Sequence, residues 1–396
     1  MKTTSKKTIL RLSKELAKRI AEKKEALTTL LLDYESFETA KDELFRSKDA
    51  LDNIENEIDY LTKSKVDVMC TFFPVNLPLY SLVIFALIPS FMSEKVFIRP
   101  PRLMAKAVKD IMAILEVEKL FPNVNIVEME RGLFRDAYVS VADVVLFTGK
   151  YENAIELQSV CPKALFIYNG AGVNPVVITE SADLELAVKK TVEMRTFNSG
   201  QDCAGSDAIL VHRNVAKKFV DLLKIHLKGI NVGDYHDREN TVGRIVKQDK
   251  LSELEKFFQT QKEYLVYGGE IDREKGIVFP TIFVEDMKEV SSIYFTEFFA
   301  PVFYVLIYDN GDDLKKYFLD QYYQDYAMYI SLFGQSSFIQ SISSSVILSD
   351  KIVNDVERGY YPYGGYGDKA NFIIYQGKKI SRPILISREI AERQNI

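Results

Sequence analysis

Short apolar segments alternate with longer amphipathic segments between residues 95 and 168 of this chain of 396 residues. KVFIR, VNIVEM, DVVLFTG and ALFIY are typical of buried strands, and the segments between them have the apolar spacing of helices. Strands that alternate with helices at this rhythm predict a parallel sheet with right-handed crossovers. We therefore predict an α/β protein of the doubly wound class, in which a ligand would bind at the carboxyl ends of the strands.

The alternation resumes after residue 174 and continues to about residue 349. PVVIT, AILVHR, PTIFVED, PVFYVLIYDN and AMYISLFG are strand-like, and helical patterns such as ADLELAVKKTVEMRT lie among them. This half of the chain predicts a second α/β domain. No G-x-G-x-x-G loop occurs in either half, so the ordinary dinucleotide fingerprint is absent.

The first 65 residues have apolar positions at helical spacing among many lysines and glutamates, as in TILRLSKELAKRIAEKKEALTTLLLDY. This pattern predicts two or more amphipathic helices. A coiled coil is the alternative, although the apolar positions do not keep to clean heptads.

No charged residue occurs between Val68 and Met92, a length that could span a bilayer. Three prolines and an asparagine interrupt the stretch, and Pro74 and Pro78 would break a helix through its first half. We therefore predict a strand, a turn and a buried helix from about Leu79 to Phe91, with no membrane span.

Charge and cysteine content argue against several classes of function. The chain has 51 basic and 56 acidic residues, a net charge of −5, so there is no basic excess for binding nucleic acid. Cys70, Cys161 and Cys203 are odd in number and far apart, which argues against a disulfide framework or a zinc site. No signal-peptide pattern opens the sequence. We expect a cytoplasmic protein with no metal site and no nucleic-acid partner.

One cysteine follows directly on a stretch of turn-forming residues, FNSGQDC, from Phe197 to Cys203. Gly and Asn suit a tight, non-helical backbone, and a thiol on such a loop can reach into a cleft. The alternative is a buried cysteine that only fills space in the core.

The FNSGQDC stretch resembles the F-N-x-G-Q-x-C nucleophile loop of the aldehyde dehydrogenase superfamily. Five further pieces follow the order of that family: PVNLP resembles P-W-N-x-P, VFIRPP resembles V-V-x-K-P-S-E, LFTGK resembles F-T-G-S, EFFAPV resembles E-x-F-G-P-V, and YPYGGYG resembles P-F-G-G-x-x. Asn76 and Cys203 are 127 positions apart, and Cys203 and Glu297 are 94 apart, both close to the family's spacing. The chain is thus identified as a divergent member from about Val68 onward.

The resemblance implies that Cys203 is the nucleophile that adds to an aldehyde or acyl carbon. It implies that the side-chain amide of Asn76, with the Cys203 backbone N–H, holds the oxyanion. Phe73, Phe197, Phe295 and Tyr363 are candidates for lining the substrate pocket, although aromatic residues at such positions are at least as often ordinary core.

The cofactor implied by the resemblance is NAD or NADP. Glu297 matches the glutamate that holds the nicotinamide ribose, and Phe299 matches the aromatic residue that packs near that ring. Arg99 stands where the family usually has the lysine that contacts the adenosine ribose. The remaining matched positions are Arg102, Thr148, Gly149 and Lys150. Arg102 replaces a glutamate common in NAD-preferring members and could pair with a 2′-phosphate, whereas Lys150 is a phosphate contact or only a surface lysine.

One departure bears on the mechanism. YNGAGVNP resembles L-E-L-G-G-K-N-P, whose glutamate activates the hydrolytic water, but Asn169 stands at that position. An amide is not a useful base, so a thioester on Cys203 should survive until a thiol such as coenzyme A arrives. We therefore predict an acylating dehydrogenase, or a reductase of acyl thioesters or acyl phosphates. The alternatives are a hydrolytic enzyme with a relocated base, and a degenerate member that binds a ligand or partner without turnover.

The resemblance also implies that the chain consists of four segments. We expect an N-terminal helical segment at 1–65 that belongs to the cofactor domain, an NAD(P)-binding domain at 66–168, a catalytic domain at 169–349, and a C-terminal segment at 350–396 that returns to the cofactor domain. The sequence between the helical pattern and the strand at Val66 leaves no room for the family's long arm, and Ala300 replaces a family glycine. ISRPILISREI is a candidate for a strand exchanged with a neighbour, and we expect a homodimer.

Overall fold

The computed structural model describes residues 3–290 and 293–395 and contains two seven-stranded sheets. The strands are β1 (Val66–Phe72), β2 (Ser93–Arg99), β3 (Val124–Ile126), β4 (Val144–Phe147), β5 (Leu165–Asn169), β6 (Val176–Ile178), β7 (Ile209–His212), β8 (Leu265–Tyr267), β9 (Ile271–Asp272), β10 (Ile277–Val278), β11 (Thr281–Asp286), β12 (Val302–Tyr308), β13 (Tyr329–Phe333), β14 (Val346–Ser349), β15 (Asn371–Tyr375) and β16 (Lys378–Ile380).

Helices connect and cover these strands. They are α1 (Lys6–Glu22), α2 (Lys24–Leu31), α3 (Phe37–Asp52), α4 (Ile58–Leu61), α5 (Pro78–Leu82), α6 (Arg102–Ile114), α7 (Val117–Leu120), α8 (Arg131–Ala137), α9 (Tyr151–Ser159), α10 (Leu184–Thr196), α11 (Arg213–Lys228), α12 (Asp249–Thr260), α13 (Gly311–Phe318), α14 (Gln321–Tyr326), α15 (Ser337–Gln340), α16 (Val353–Val356) and α17 (Ile386–Glu392). Short 3₁₀ segments add Ile54–Glu57, Pro89–Met92, Val139–Val141, Phe197–Gly200, Lys262–Tyr264 and Arg393–Asn395.

The first sheet has the strand order β16-β15-β5-β4-β1-β2-β3. Strands β1 to β5 pair in parallel, and β15 and β16 add to one edge in antiparallel orientation. The second sheet has the order β14-β13-β6-β7-β12-β11-β8, parallel except for β8. The α/β prediction is confirmed, since both sheets are dominated by parallel strands joined through helices.

The N-terminal helices form as their sequence predicts. The Ser5 hydroxyl caps α1 by accepting from the Thr8 backbone N–H, and Ser36 caps α3 by accepting from the Thr39 N–H. The apolar stripe of α1 lies in one hydrophobic core with the first sheet. The stretch is thus a packed layer of the fold, with α1 and α3 in direct contact.

The uncharged stretch folds as strand, turn and helix, as predicted. β1 is followed by α5, a π-helical turn at Val83–Leu87, and the 3₁₀ segment Pro89–Met92. Within the described part of the chain, no helix is both long and apolar enough to cross a membrane.

The prediction of an exchanged strand at ISRPILISREI is wrong. β16 ends at Ile380, and Ile386–Glu392 is the helix α17, which packs against α4 of the same chain. Ile386 and Ile390 are one helical turn apart and both pack into the first core, so this spacing favours a helix over a strand.

Candidate active site

A cavity of about 450 Å³ receives side chains from strands of the first sheet, from loops that connect strands of the second sheet, and from the N- and C-terminal helical segments. Eleven of the fourteen predicted site residues line it: Phe73, Asn76, Arg99, Thr148, Gly149, Lys150, Asn169, Cys203, Glu297, Phe299 and Tyr363. The structure therefore brings together residues that lie far apart in the sequence, from the ends of β1, β2, β4 and β5 to the loop before β7. This placement agrees with ligand binding at the carboxyl ends of parallel strands.

The other three predicted residues do not line the cavity. Arg102 is exposed at the start of α6 and pairs with Glu130 at 3.5 Å. Phe197 packs under the Arg46 guanidinium, with 5.4 Å between the ring centroid and Cζ.

Phe295 stacks on an exposed tyrosine, Tyr322, with ring centroids 5.2 Å apart. Neither Phe295 nor Phe197 lines the cavity, because each half-buried ring packs on these other neighbours instead.

The loop before Cys203 has a strained backbone. Asn198 and Ser199 are left-handed, with φ of 47° and 55°, and Gly200 follows with φ of 75°. A Cβ on Gly200 would lie 2.4 Å from the Ala300 carbonyl, so only glycine fits. Hydrogen bonds hold this geometry: the Asn198 N–H donates to Thr39 Oγ1 at 3.0 Å. Such strain, maintained by the surroundings, is typical of functional loops.

The Cys203 thiol lies at the cavity wall and is the only half-buried one of the three cysteines. Its Sγ is 3.2 Å from the Tyr363 hydroxyl oxygen, and its carbonyl accepts from Asn174 Nδ2 at 2.9 Å. Burial raises the pKa of the Cys203 thiol well above its usual value, and the carboxylate of Asp202 adds to that, while the contact with Tyr363 lowers it. The protonated thiol is thus favoured in this environment.

The Asn76 side chain sits next to the cysteine loop. Its Nδ2 donates to the backbone carbonyl of Gln201 at 3.0 Å, two residues before Cys203. An amide nitrogen carries two N–H groups, so this bond fixes the orientation of the group while leaving a second donor. Asn76 lines the cavity and is therefore placed to offer that donor to a ligand oxygen.

Asn169 ends β5 and lies at the cavity wall. Its Oδ1 is buried and has no hydrogen-bond partner among the described residues. A buried amide oxygen without a donor costs free energy, so some group supplied by a ligand or water is expected to satisfy it. The side chain presents an acceptor and no base at this point.

Three carboxylic acids surround the thiol. Burial raises the pKa values of Asp202, Glu297 and Glu357, and each of the three acts on the pKa of the thiol. Sequence reasoning missed Glu357, which accepts from Arg46 Nη1 at 2.8 Å. No motif marks this pair, because 311 positions separate its partners.

Basic side chains lie at another part of the wall. Arg99, Arg131 and Lys150 line the cavity, and burial together with the nearby charges of Arg131 and Arg102 lowers the pKa of Arg99. Arg131 is a second residue that sequence reasoning missed, and it is held by Asn153, whose Oδ1 accepts from Nη1 at 2.9 Å. Guanidinium groups that lie near enough to affect one another's charge form a site for an anionic group such as a phosphate.

A further part of the wall is apolar. The lining residues there are Ile84, Phe85, Ile88, Pro89, Ile384 and Leu385, from the π-helical turn, the 3₁₀ segment after it and the loop before α17. Glu57 also lines the cavity, and burial raises the pKa of its carboxyl to about 7. This lobe suits an aliphatic or aromatic group.

A buried ion pair links the two sides of the site. Arg195, at the end of α10, is fully buried and donates from Nε to the Ala300 carbonyl at 2.9 Å. Its Nη1 lies 3.5 Å from Asp207 Oδ1, which also accepts from the Phe298 N–H at 3.1 Å. The cysteine loop and the segment that carries Glu297 are thereby held in one position.

The family profile described as "Aldehyde dehydrogenase family" matches residues 1–368. The chain belongs to the aldehyde dehydrogenase family. Curated relatives within this family are distant: an Aldehyde dehydrogenase family 3 protein of Dictyostelium discoideum is 25% identical over 213 residues, 52% of this chain and 43% of that protein. The Lactaldehyde dehydrogenase of Escherichia coli is 28% identical over 169 residues, 42% of this chain and 35% of that protein. The matched region thus spans less than half the length of these relatives.

Solved structures of the family share the fold over nearly the whole chain. A glyceraldehyde-3-phosphate dehydrogenase from Methanocaldococcus jannaschii, complexed with NADP, has a TM-score of 0.81 at 18% identity and covers 98% of this chain and 89% of its own. A succinic semialdehyde dehydrogenase from Streptococcus pyogenes, with NADP+ as the cofactor, has a TM-score of 0.83 at 16% identity and covers 97% and 89%. The aldehyde dehydrogenase architecture predicted from the motifs is confirmed.

Proposed function

We propose that this chain is an NAD(P)-dependent acylating aldehyde dehydrogenase, which passes an acyl group between an aldehyde and a thiol through a thioester on Cys203. The observation that carries the proposal is the side chain at position 169. Asn169 lines the same cavity as the thiol and presents an amide where the family motif has a carboxylate. Without a base at that position, water attacks the thioester slowly, whereas a thiolate needs no activation of that kind.

In this proposal the Cys203 thiolate forms a bond to the aldehyde carbon, and the carbonyl electron pair moves to the oxygen. The second N–H of Asn76 would donate to that oxyanion, since its first is committed to Gln201. When bound, the nicotinamide cofactor supplies the hydride acceptor that turns the adduct into a thioester. An external thiolate then attacks the thioester carbon, and Cys203 leaves as a thiolate. Reversal of these steps reduces an acyl thioester, or with phosphate as the leaving group an acyl phosphate, to an aldehyde.

The cavity residues fit a dinucleotide. The cluster Arg99, Arg131 and Lys150 would hold phosphate groups, with Thr148 and Gly149 beside them at the end of β4. Glu297 would accept from the hydroxyls of the nicotinamide ribose, and the Phe299 ring, with Lys247 5.3 Å from its centroid, would pack near the nicotinamide. We propose that the two cavity arginines favour NADP over NAD, because a 2′-phosphate would meet two guanidinium groups.

Arg131→Leu is expected to weaken NADP binding by about tenfold or more and NAD binding much less, because one charge-assisted hydrogen bond to the extra phosphate is lost. Dissociation constants from the fluorescence of NADPH and NADH measure this without any need for turnover. The matched control is Arg135→Leu, since Arg135 lies one turn further along α8, pairs with Asp136 and does not line the cavity. Equal losses for both cofactors would contradict a 2′-phosphate contact.

The apolar lobe formed by the residues around Ile84 and Ile384 supports an aliphatic or aromatic acyl group as substrate. The three cysteines are free, which suits a reducing compartment. On that basis we propose a cytoplasmic location. The homodimer and the four-part domain division stay predictions.

A hydrolytic aldehyde dehydrogenase is the second candidate, and Glu357 favours it. This carboxylate lines the cavity, and burial raises its pKa toward the range in which a carboxylate serves as a general base. It could take the proton of an attacking water in place of a residue at position 169.

Formation of NADPH and NADH from a panel of aldehydes, with and without coenzyme A, tests the proposal. Turnover that depends on coenzyme A and disappears in Cys203→Ala is the expected result. Equal turnover without a thiol, lost in Glu357→Gln, would support the hydrolytic candidate. No reaction in any condition would leave a member of the family that only binds ligands.

A further inference from the structure

The Cys203 thiol lies next to a tyrosine hydroxyl, at a position where the family motif has a phenylalanine. YPYGGYG resembles P-F-G-G-x-x, so Tyr363 stands where the motif has phenylalanine. The difference is one oxygen atom, and that atom lies 3.2 Å from Cys203 Sγ. For a contact to sulfur this is a hydrogen-bond distance.

The surroundings hold Tyr363 in this position. Its backbone pairs with Ile384 in both directions, the Tyr363 N–H donating at 2.9 Å and the Ile384 N–H donating at 2.8 Å. Its ring packs on Tyr329 with centroids 5.7 Å apart, and the Tyr329 hydroxyl accepts from the Gly364 N–H at 2.7 Å. Because the backbone and ring are fixed, the hydroxyl is aimed at the thiol before any substrate arrives.

The direction of the hydrogen bond follows from the charges in the cavity. Burial, and then the nearby Cys203, raise the pKa of the Tyr363 hydroxyl well above its usual value, so it keeps its proton at neutral pH. Asp202, Glu297 and Glu357 all oppose a negative charge on the sulfur. The hydroxyl of Tyr363 is thus the donor, and the Cys203 thiolate is the form that gains from it.

We propose that Tyr363 is a catalytic residue that donates a hydrogen bond to the Cys203 thiolate, and so makes the nucleophile easier to ionise in a cavity whose carboxylates oppose a negative charge on the sulfur. The proposal rests on Cys203 as the nucleophile of the proposed function. The thiol proton passes to water, while the tyrosine O–H bond stays intact. When Sγ bonds to the aldehyde carbon its charge moves to the oxyanion, and the hydroxyl stabilises the sulfur again when the thioester is broken and Cys203 leaves as a thiolate.

Tyr363→Phe tests this with little risk to folding, because it removes one oxygen and installs the residue of the family motif. The reaction of Cys203 with iodoacetamide is followed as a function of pH, with Cys203→Ala as the blank for the two buried cysteines. The apparent pKa of the thiol is expected to rise by about one unit, and alkylation at neutral pH to slow about tenfold, the size of one charge-assisted hydrogen bond. Tyr366→Phe is the matched control, since Tyr366 is exposed and does not line the cavity.

An unchanged pH profile in Tyr363→Phe, with the fold intact by circular dichroism, would overturn the proposal. A shift of equal size in Tyr366→Phe would also overturn it. The readout is separate from turnover: a shifted thiol pKa in a protein that oxidises no aldehyde would support the role of Tyr363 and refute the proposed function. If turnover depends on coenzyme A but the thiol pKa is unchanged in Tyr363→Phe, the proposed function would be supported and the role of Tyr363 refuted.

Discussion

Asn169→Glu is expected to release the enzyme from its need for a thiol, raising the rate of thioester hydrolysis on Cys203 by about 100-fold or more. General-base activation of water contributes about 100-fold to 10,000-fold to such steps. The position is suited to the change because the side chain lies at the cavity wall, at the end of a strand whose backbone is paired on both sides. Burial among acidic neighbours would raise the pKa of the new carboxyl toward neutrality, where a base is most effective.

The measurement is steady-state NADPH formation without coenzyme A, together with the decay of the acyl-enzyme followed by mass spectrometry after a single turnover. Asn169→Gln is the matched control, because it has the size of glutamate and none of its basicity. Faster hydrolysis in both variants would point to a change in water access. Fast hydrolysis in the unaltered enzyme would show that a base already exists, with Glu357 as the first residue to replace.

Arg195→Met is expected to destabilise the folded protein by about 3–5 kcal/mol, the cost of removing one partner from a buried ion pair. Arg195 is 0% exposed and Asp207 is 7% exposed, so water cannot replace the lost guanidinium. The Ala300 carbonyl also loses one of its two donors, keeping only the Val302 N–H. Because this pair joins the cysteine loop to the Glu297 segment, we expect thiol reactivity to fall in the fraction that remains folded.

Urea unfolding at several pH values measures the free energy of unfolding and shows whether the unpaired Asp207 carboxyl causes its loss. Burial raises the pKa of Asp207 to about 7 even beside the arginine. A raised carboxyl pKa means that the folded state binds the proton more tightly than the unfolded state. In Arg195→Met, stability should therefore fall as pH rises from about 5 to above 7.

Two further variants test whether the loss of stability comes from leaving a buried charge without its partner. Arg195→Met combined with Asp207→Asn should recover much of the loss, since no uncompensated charge stays buried. Arg213→Met is the exposed counterpart: Arg213 pairs with Asp286 at 2.6 Å at the surface, and its loss should cost about 1 kcal/mol or less. A similar loss in Arg195→Met and Arg213→Met would contradict the special role of the buried pair.

Local pattern was enough to predict the architecture and much of the site. The strand–helix alternation predicts parallel sheets, and the motifs lie at strand ends, so Asn76, Asn169 and Cys203 were expected to meet. The prediction failed where partners are distant. Arg131 and Glu357 lie in segments without a motif, and their positions depend on how α8 and the chain after α16 pack. Phe295 was judged from its place near a motif, whereas its ring direction is set by neighbouring tyrosines.

The contacts between α3 and the rest of the site have a consequence for the newly made protein. Thr39 holds the cysteine loop, and Arg46 holds Glu357, which the ribosome adds 311 residues later. Tyr363 is made later still. A nascent chain in which Cys203 has just left the ribosome therefore lacks two of the groups that orient the thiol. The oriented nucleophile therefore forms only after Tyr363 has been synthesised and packed beside Cys203, so the site cannot assemble from the N-terminal part of a growing chain alone.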